Sequence, residues 1–289
     1  MTSAPTLQLP ADAVDCHVHV FGPADRFPYA PERKYTPEQD APREALAALQ
    51  DRLGLRRVVV VQATCHGTDN RAMLDALAAW GERARGVAVV PTDAPMPALL
   101  SLHHAGVRGL RYVMLPRLVD APAWPDLHAL ARRIAPLGWH VELYIEPQQI
   151  RPWWNELMAL SLPLVIDHMG RPDVQQPLDA EPNAAIFDLL SQRPDTWVKV
   201  SCPERLSASG PWAQGNEPAP YRDVRPFARE LIERFPDRVL WGTDWPHPNM
   251  TTHTPDDARL VDWLVDIAPD EAQRERLLVR NPDRLYWGR

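Results

Sequence analysis

The stretch AVDCHVHVFGPADRFP (13–28) decides the fold. Its first eight residues have the β-branched, alternating character of a strand, and a turn-rich loop follows. A doubly wound sheet that binds nucleotides would carry a glycine-rich phosphate loop directly after that strand. Neither GxGxxG nor a Walker pattern stands there. Seven further short apolar runs follow, each bounded by turn residues: RRVVVVQA (56–63), RGVAVVP (85–91), GLRYVML (109–115), GWHVELYIE (138–146), LPLVIDH (162–168), TWVKVS (196–201) and RVLWGTD (238–244). Between most of them lie stretches of helical period, such as PREALAALQDRLG (42–54), NRAMLDALAAWGERA (70–84), LHALARRIAPLG (127–138) and VRPFARELIERFP (224–236). Eight strands alternating with helices predict an α/β protein, a (β/α)8 TIM barrel forming a single domain over 1–289. The last segment (254–289) reads as two helices that close it. The loops 21–42 and 202–224 hold most of the excess length, and both fall on the face where barrel enzymes keep their chemistry.

Composition narrows the function classes. The 289 residues carry 31 basic and 38 acidic side chains, a net charge of −7. That balance speaks against nucleic acid or an anionic membrane surface as a partner. No run approaches the ~20 apolar residues a bilayer span needs. The N-terminus lacks a basic patch followed by an apolar core, so no signal peptide is expected. Cys16, Cys65 and Cys202 make no disulfide framework and no CxxC pair, which suits a reducing cytoplasm. The 32 prolines are dispersed among apolar runs rather than gathered in one disordered tract.

In a barrel, functional side chains cluster at strand C-termini. His17 and His19, two apart on the first strand, point to the same face and into the mouth. His168 ends the sixth strand and Asp244 the eighth. Each of these has a plain reading as a turn cap, but four such residues at three strand ends exceed what capping explains. His66 and His247 lie farther along their loops, as supports; His103, His104, His128 and His253 read as surface or helix residues.

These ends resemble the amidohydrolase superfamily, which carries HxH on strand 1, His on strand 6 and Asp on strand 8. Longer strings narrow the likeness. CHGTDN (65–70), GLRYVMLPRLVD (109–120), VIDHMGRPD (165–173), VKVSCPERLS (198–207) and VLWGTDWPHPN (239–249) resemble the 2-pyrone-4,6-dicarboxylate lactonase family along essentially the whole chain. That resemblance implies a carboxylic-ester hydrolase that opens a dianionic lactone to 4-oxalomesaconate during protocatechuate 4,5-cleavage, in the degradation of lignin-derived aromatics. It implies Asp244 as general base, with His17, His19 and His168 polarising the carbonyl. Burial at the mouth is expected to raise the Asp244 pKa toward a useful base. It also implies that Arg111, Arg117, Arg171 and Arg205 hold the substrate carboxylates, since the guanidinium fork binds carboxylate bidentately. Tyr35 and Tyr144 join as hydroxyl donors. Thr64 stands where the family presents a serine, keeping the donor and adding a methyl.

HxH with a later Asp also suits zinc or manganese. The broader superfamily adds a Lys or Glu bridge on strand 4 and a His on strand 5; here those ends read Tyr112-Val113-Met114-Leu115 and, at strand 5, Tyr144. The expectation is that no metal is required, adventitious zinc or manganese at His17, His19 and Asp244 being compatible with it. The competing readings are a sulfomuconolactone- or muconolactone-type hydrolase, zinc-dependent or not, and a non-catalytic barrel that binds dicarboxylates. A decarboxylase of the related branch lacks its acidic residue soon after strand 1. The oligomeric state is left open.

Overall fold

Eight parallel strands pair in chain order: β1 (Val14–Val18), β2 (Arg57–Val61), β3 (Ala84–Ala88), β4 (Val107–Val113), β5 (His140–Tyr144), β6 (Leu164–Ile166), β7 (Thr196–Val200) and β8 (Val239–Trp241). The computed structural model describes residues 4–210 and 220–288. All eight predicted strands are present. The run Arg57–Val61 shows why so many read as unbroken apolar stretches. Its residues are all buried, because a parallel strand is covered on both faces.

The barrel closes just beyond β8. Val18 bridges Trp245 in parallel, His19 N–H donates to Trp245 O at 2.7 Å, and Asp244 N–H donates to His17 O at 2.8 Å. Asp15 stitches the same seam, its carboxylate accepting from Thr243 Oγ1 at 2.7 Å and from the Thr243 and His17 backbone N–H at 3.1 Å. Gly242 permits this approach: a Cβ there would meet His17 N at 2.6 Å. The seam that makes the sheet a barrel therefore also sets His17, His19 and Asp244 side by side.

The helices form the outer ring for ordinary reasons. In α1 (Arg43–Leu53) the buried Leu46, Leu49, Gln50 and Leu53 recur at helical spacing. It stops at Gly54, whose left-handed φ of 76° lets its N–H cap Gln50 O. In helix Trp124–Ile134, Leu127, Leu130, Ala131 and Ile134 do the same. The C-terminal segment forms the two expected helices. Asp257–Asp262 and Leu264–Ile267 meet at Trp263, itself in helical backbone, and Glu271–Glu275 runs on through the wider-turned Arg276–Arg280 and Asp283–Trp287 without leaving helical backbone. Asn281, buried within the second helix, donates to Pro236 O and Val239 O and ties it to β8.

Loop 21–42 is fastened at its ends by an antiparallel Phe21–Ala41 bridge and across the mouth by Lys34, which donates to Pro116 O and pairs with Asp120. Of loop 202–224, residues 211–219 lie outside the described residues. No helix among the described residues is long and apolar enough to cross a membrane.

Candidate active site

Strand ends at the C-terminal face surround a cavity of about 380 Å³. Asp244 lines it in a left-handed backbone conformation, φ 63°, which an aspartate adopts at a cost and which turns its carboxylate inward. One carboxylate oxygen, Oδ1, lies 3.3 Å from His19 Nε2 and 3.6 Å from His17 Nε2. The other, Oδ2, accepts from Arg205 Nε at 3.1 Å, while Arg205 Nη2 reaches Pro248 O.

The expected rise of the Asp244 pKa does not occur. Burial alone would raise it, but Arg205 and His19 outweigh burial and hold the carboxyl well below the usual range. Asp244 is ionised and a weak base as it stands.

His19 contacts Val61 O through Nδ1 at 2.8 Å and turns Nε2 toward Asp244 Oδ1. His168 lines the cavity, hydrogen-bonds Ser201 Oγ through Nδ1 at 2.8 Å, and is pushed down to about 3 by burial. His17 is fully buried beneath the wall, in tilted contact with the His168 ring, and stays neutral because burial and Lys199 lower its pKa.

The four arginines all reach the cavity, and each has a protein partner. Arg111 Nε donates to Asp167 Oδ2 at 2.9 Å; Arg117 pairs with Glu146 at 2.7 Å; Arg171 donates to Tyr144 Oη at 2.7 Å. Arg205 takes Asp244. Tyr35, Thr64 and Tyr144 also line the cavity. Thus ten of the eleven expected residues share it, and His17 forms the layer below. His66 and His247 are supports, as expected. His66 contacts Pro28 O, and His247 bridges Glu204 and Asp257 at 3.2 and 3.0 Å.

Sequence reading missed the charges beneath. Glu142 on β5, Asp167 after β6 and Lys199 on β7 are all fully buried. Lys199 Nζ donates to Glu142 Oε2, lies 3.2 Å from His17 Nδ1 and 3.8 Å from Asp167 Oδ1. The available signal was a lysine and a glutamate inside otherwise apolar strands, TWVKVS and HVELY, where only the barrel interior remains for them.

Among the described residues the ligand atoms of His17, His168 and Asp244 come within 4.8 Å of one another, so His168 rather than His19 completes the candidate metal triad. The spacing suits one divalent ion; the donor chemistry does not. Lys199 Nζ lies 3.2 Å from His17 Nδ1 and an ammonium has only donors; with that bond made, Nδ1 accepts and the hydrogen stands on Nε2, the atom a metal would need bare. Arg205 already covers one oxygen of Asp244. A second set, Cys202, Glu204 and Asp244, comes equally close and shares the Asp244 carboxylate that Arg205 holds.

A family model described as Amidohydrolase matches residues 14–287. The chain is 54% identical over 285 residues to a 2-pyrone-4,6-dicarboxylate hydrolase of Comamonas testosteroni, covering 99% of this chain and 93% of that protein. It is 35% identical over 291 residues to a 4-sulfomuconolactone hydrolase of Rhizobium radiobacter, covering 98% and 93%. A solved structure from Acinetobacter baumannii with citric acid bound superposes with a TM-score of 0.82 at 26% identity, over 96% of this chain and 99% of that one.

Proposed function

The chain belongs to the amidohydrolase family, and from that premise we propose that it is a lactone hydrolase acting on 2-pyrone-4,6-dicarboxylate, opening it to 4-oxalomesaconate in the degradation of aromatic compounds. One observation carries the reading: an ionised Asp244 in a cavity walled by Arg111, Arg117, Arg171 and Arg205. Two substrate carboxylates need fixed cations, and a chain of net charge −7 concentrates them here. A carboxylate binding at Arg205 shares its fork with Asp244, which weakens the hold on Asp244 and strengthens it as a base. A mere binder of dicarboxylates gains nothing from a buried aspartate beside its anion.

In the reaction, water placed beside Asp244 Oδ1 and His19 Nε2 donates a hydrogen to Asp244. Asp244 takes the proton as the water oxygen bonds to the ring carbonyl carbon. His168, with Nδ1 accepting from Ser201, donates from Nε2 to the developing oxyanion, a contact that contributes ~3–4 kcal/mol to the transition state. The tetrahedral carbon then expels the ring oxygen. That oxygen leaves as an enolate and takes the proton back from Asp244. The arginines orient the ring so that the carbonyl faces the water.

A divalent ion, if bound, would polarise the carbonyl and acidify a bound water. The donors at this mouth do not suit one, and the steps above use side chains alone. Activity is therefore expected to survive exhaustive chelation; loss that zinc restores would overturn this part of the reading.

The test of the activity is loss of pyrone ultraviolet absorbance with purified protein. Because a 35% identical relative is a 4-sulfomuconolactone hydrolase, and a sulfonate also fits an arginine fork, that lactone is assayed alongside. Preference for it would reassign the substrate within the class. The whole chain acts as one domain, and its three buried free thiols suit the cytoplasm.

A further inference from the structure

The floor of the barrel holds a second group of metal-type ligands. Atoms of His17, Glu142 and Asp167 lie within 4.8 Å of one another, all fully buried. Lys199 Nζ sits among them, hydrogen-bonded to Glu142 Oε2 and His17 Nδ1 and 3.8 Å from Asp167 Oδ1. We propose that the Lys199 ammonium replaces a metal ion in the barrel floor, and that by donating to His17 Nδ1 it fixes the tautomer whose Nε2–H faces Asp244.

Three observations support this. First, of the two groups that face His17 Nδ1, Lys199 Nζ is the nearer, at 3.2 Å against 3.3 Å for Asp167 Oδ1, and Asp167 directs its other oxygen to Arg111. Second, His17 Nε2 has no hydrogen-bond partner among the described residues and lies 3.6 Å from Asp244 Oδ1. A hydrogen there steadies the carboxylate, whereas a lone pair would repel it. Third, two cations already occupy the floor: Lys199 and Arg111 both face Glu142 and Asp167. A lysine on β7 thus has two effects. It fills the lower metal position, and through the imidazole it disqualifies His17 as a ligand for the upper one.

Lys199 touches no substrate and acts through His17, as a positioning residue. The proposal rests on the hydrolytic reading for the use of Nε2–H, but its two main readouts need no turnover, so they fail separately from that reading. The first is nitrogen-15 spectroscopy of the histidine side chains in the native protein, with His17 assigned by its disappearance in His17→Gln. Nδ1 is expected as the bare, hydrogen-bonded nitrogen and Nε2 as the protonated one. A hydrogen on Nδ1 overturns the proposal. The second is Lys199→Met, dialysed against zinc and analysed for metal. It should take up roughly one equivalent more than the native protein, because two carboxylates and an imidazole are left without their cation. Its kcat without metal should fall ~10- to 100-fold, with KM little changed. A folded Lys199→Met protein that gains no zinc and keeps its kcat also overturns it. If that variant does not fold, the native spectrum decides alone.

Discussion

Arg205 holds the Asp244 carboxylate, and on the proposed function it also takes one of the substrate's; residue-scale predictions follow from that sharing. Asp244→Asn removes the proton acceptor while keeping the shape; turnover should fall roughly 10²- to 10⁴-fold, with binding of an inert dicarboxylate retained in calorimetry. Arg205→Met should raise KM at least ~30-fold, about 2 kcal/mol of lost carboxylate binding. An unchanged KM would count against the clamp. Because Asp244 is held well below the usual carboxylate range, kcat/KM should keep its neutral value down to about pH 5. His247 gives the opposite kind of pH effect. Burial lowers it, but Asp257 and Glu204 prevail and raise it to about 10. A raised histidine stabilises fully below its unfolded value of 6.5, and that contribution is lost as pH rises through about 10. Thermal stability should therefore decline over that window. His247→Gln should flatten the decline and cost about 3–5 kcal/mol, by leaving two buried carboxylates unpaired. At this scale the HxH pair and Asp244 were legible because strand-end chemistry is local. Lys199 was not. Nothing in TWVKVS says that Glu142 and His17 wait across the barrel, and the same distance in space hid the Arg205–Asp244 pair that reversed the expected pKa shift.

Among the elements, the β1–β8 seam matters most. Every strand was readable, since a buried parallel strand writes itself as a short apolar run between turn residues. The two closing helices were readable as well; what was not is the widening of the second, from within which Asn281 donates across to β8. Gly242 gives the seam its own test. A Cβ there would stand 2.6 Å from His17 N and 2.7 Å from His17 Cβ, so Gly242→Ala must push β1 from β8. The expected cost is about 1–3 kcal/mol in urea unfolding, with a fall in kcat larger than stability explains, because His17, His19 and Asp244 share that junction. An alanine variant with native stability and rate would mean that the strands tolerate separation there.

For the molecule as a whole, a net charge of −7 contrasts with the four arginines that line the cavity, so the dianion should act as a stabiliser. An inert aromatic dicarboxylate at one hundred times its Kd is expected to add about 2.7 kcal/mol, read as a rise of several degrees in Tm, and a monocarboxylate much less. Equal shifts from both would argue that the arginines do not work as a pair of forks. The barrel seam also bears on how the protein is made. Asp15 and Thr243, which lock it, stand 228 positions apart in the chain. At the usual pace of translation, roughly 10–45 s separate the synthesis of His17 from that of Asp244, which it faces. Through that interval the nascent β1 has an open edge and no partner from β8, so the growing chain has neither activity nor a closed sheet. A stalled ribosome short of Asp244 would release a protein that no dicarboxylate can rescue, and chaperones rather than substrate must shield it.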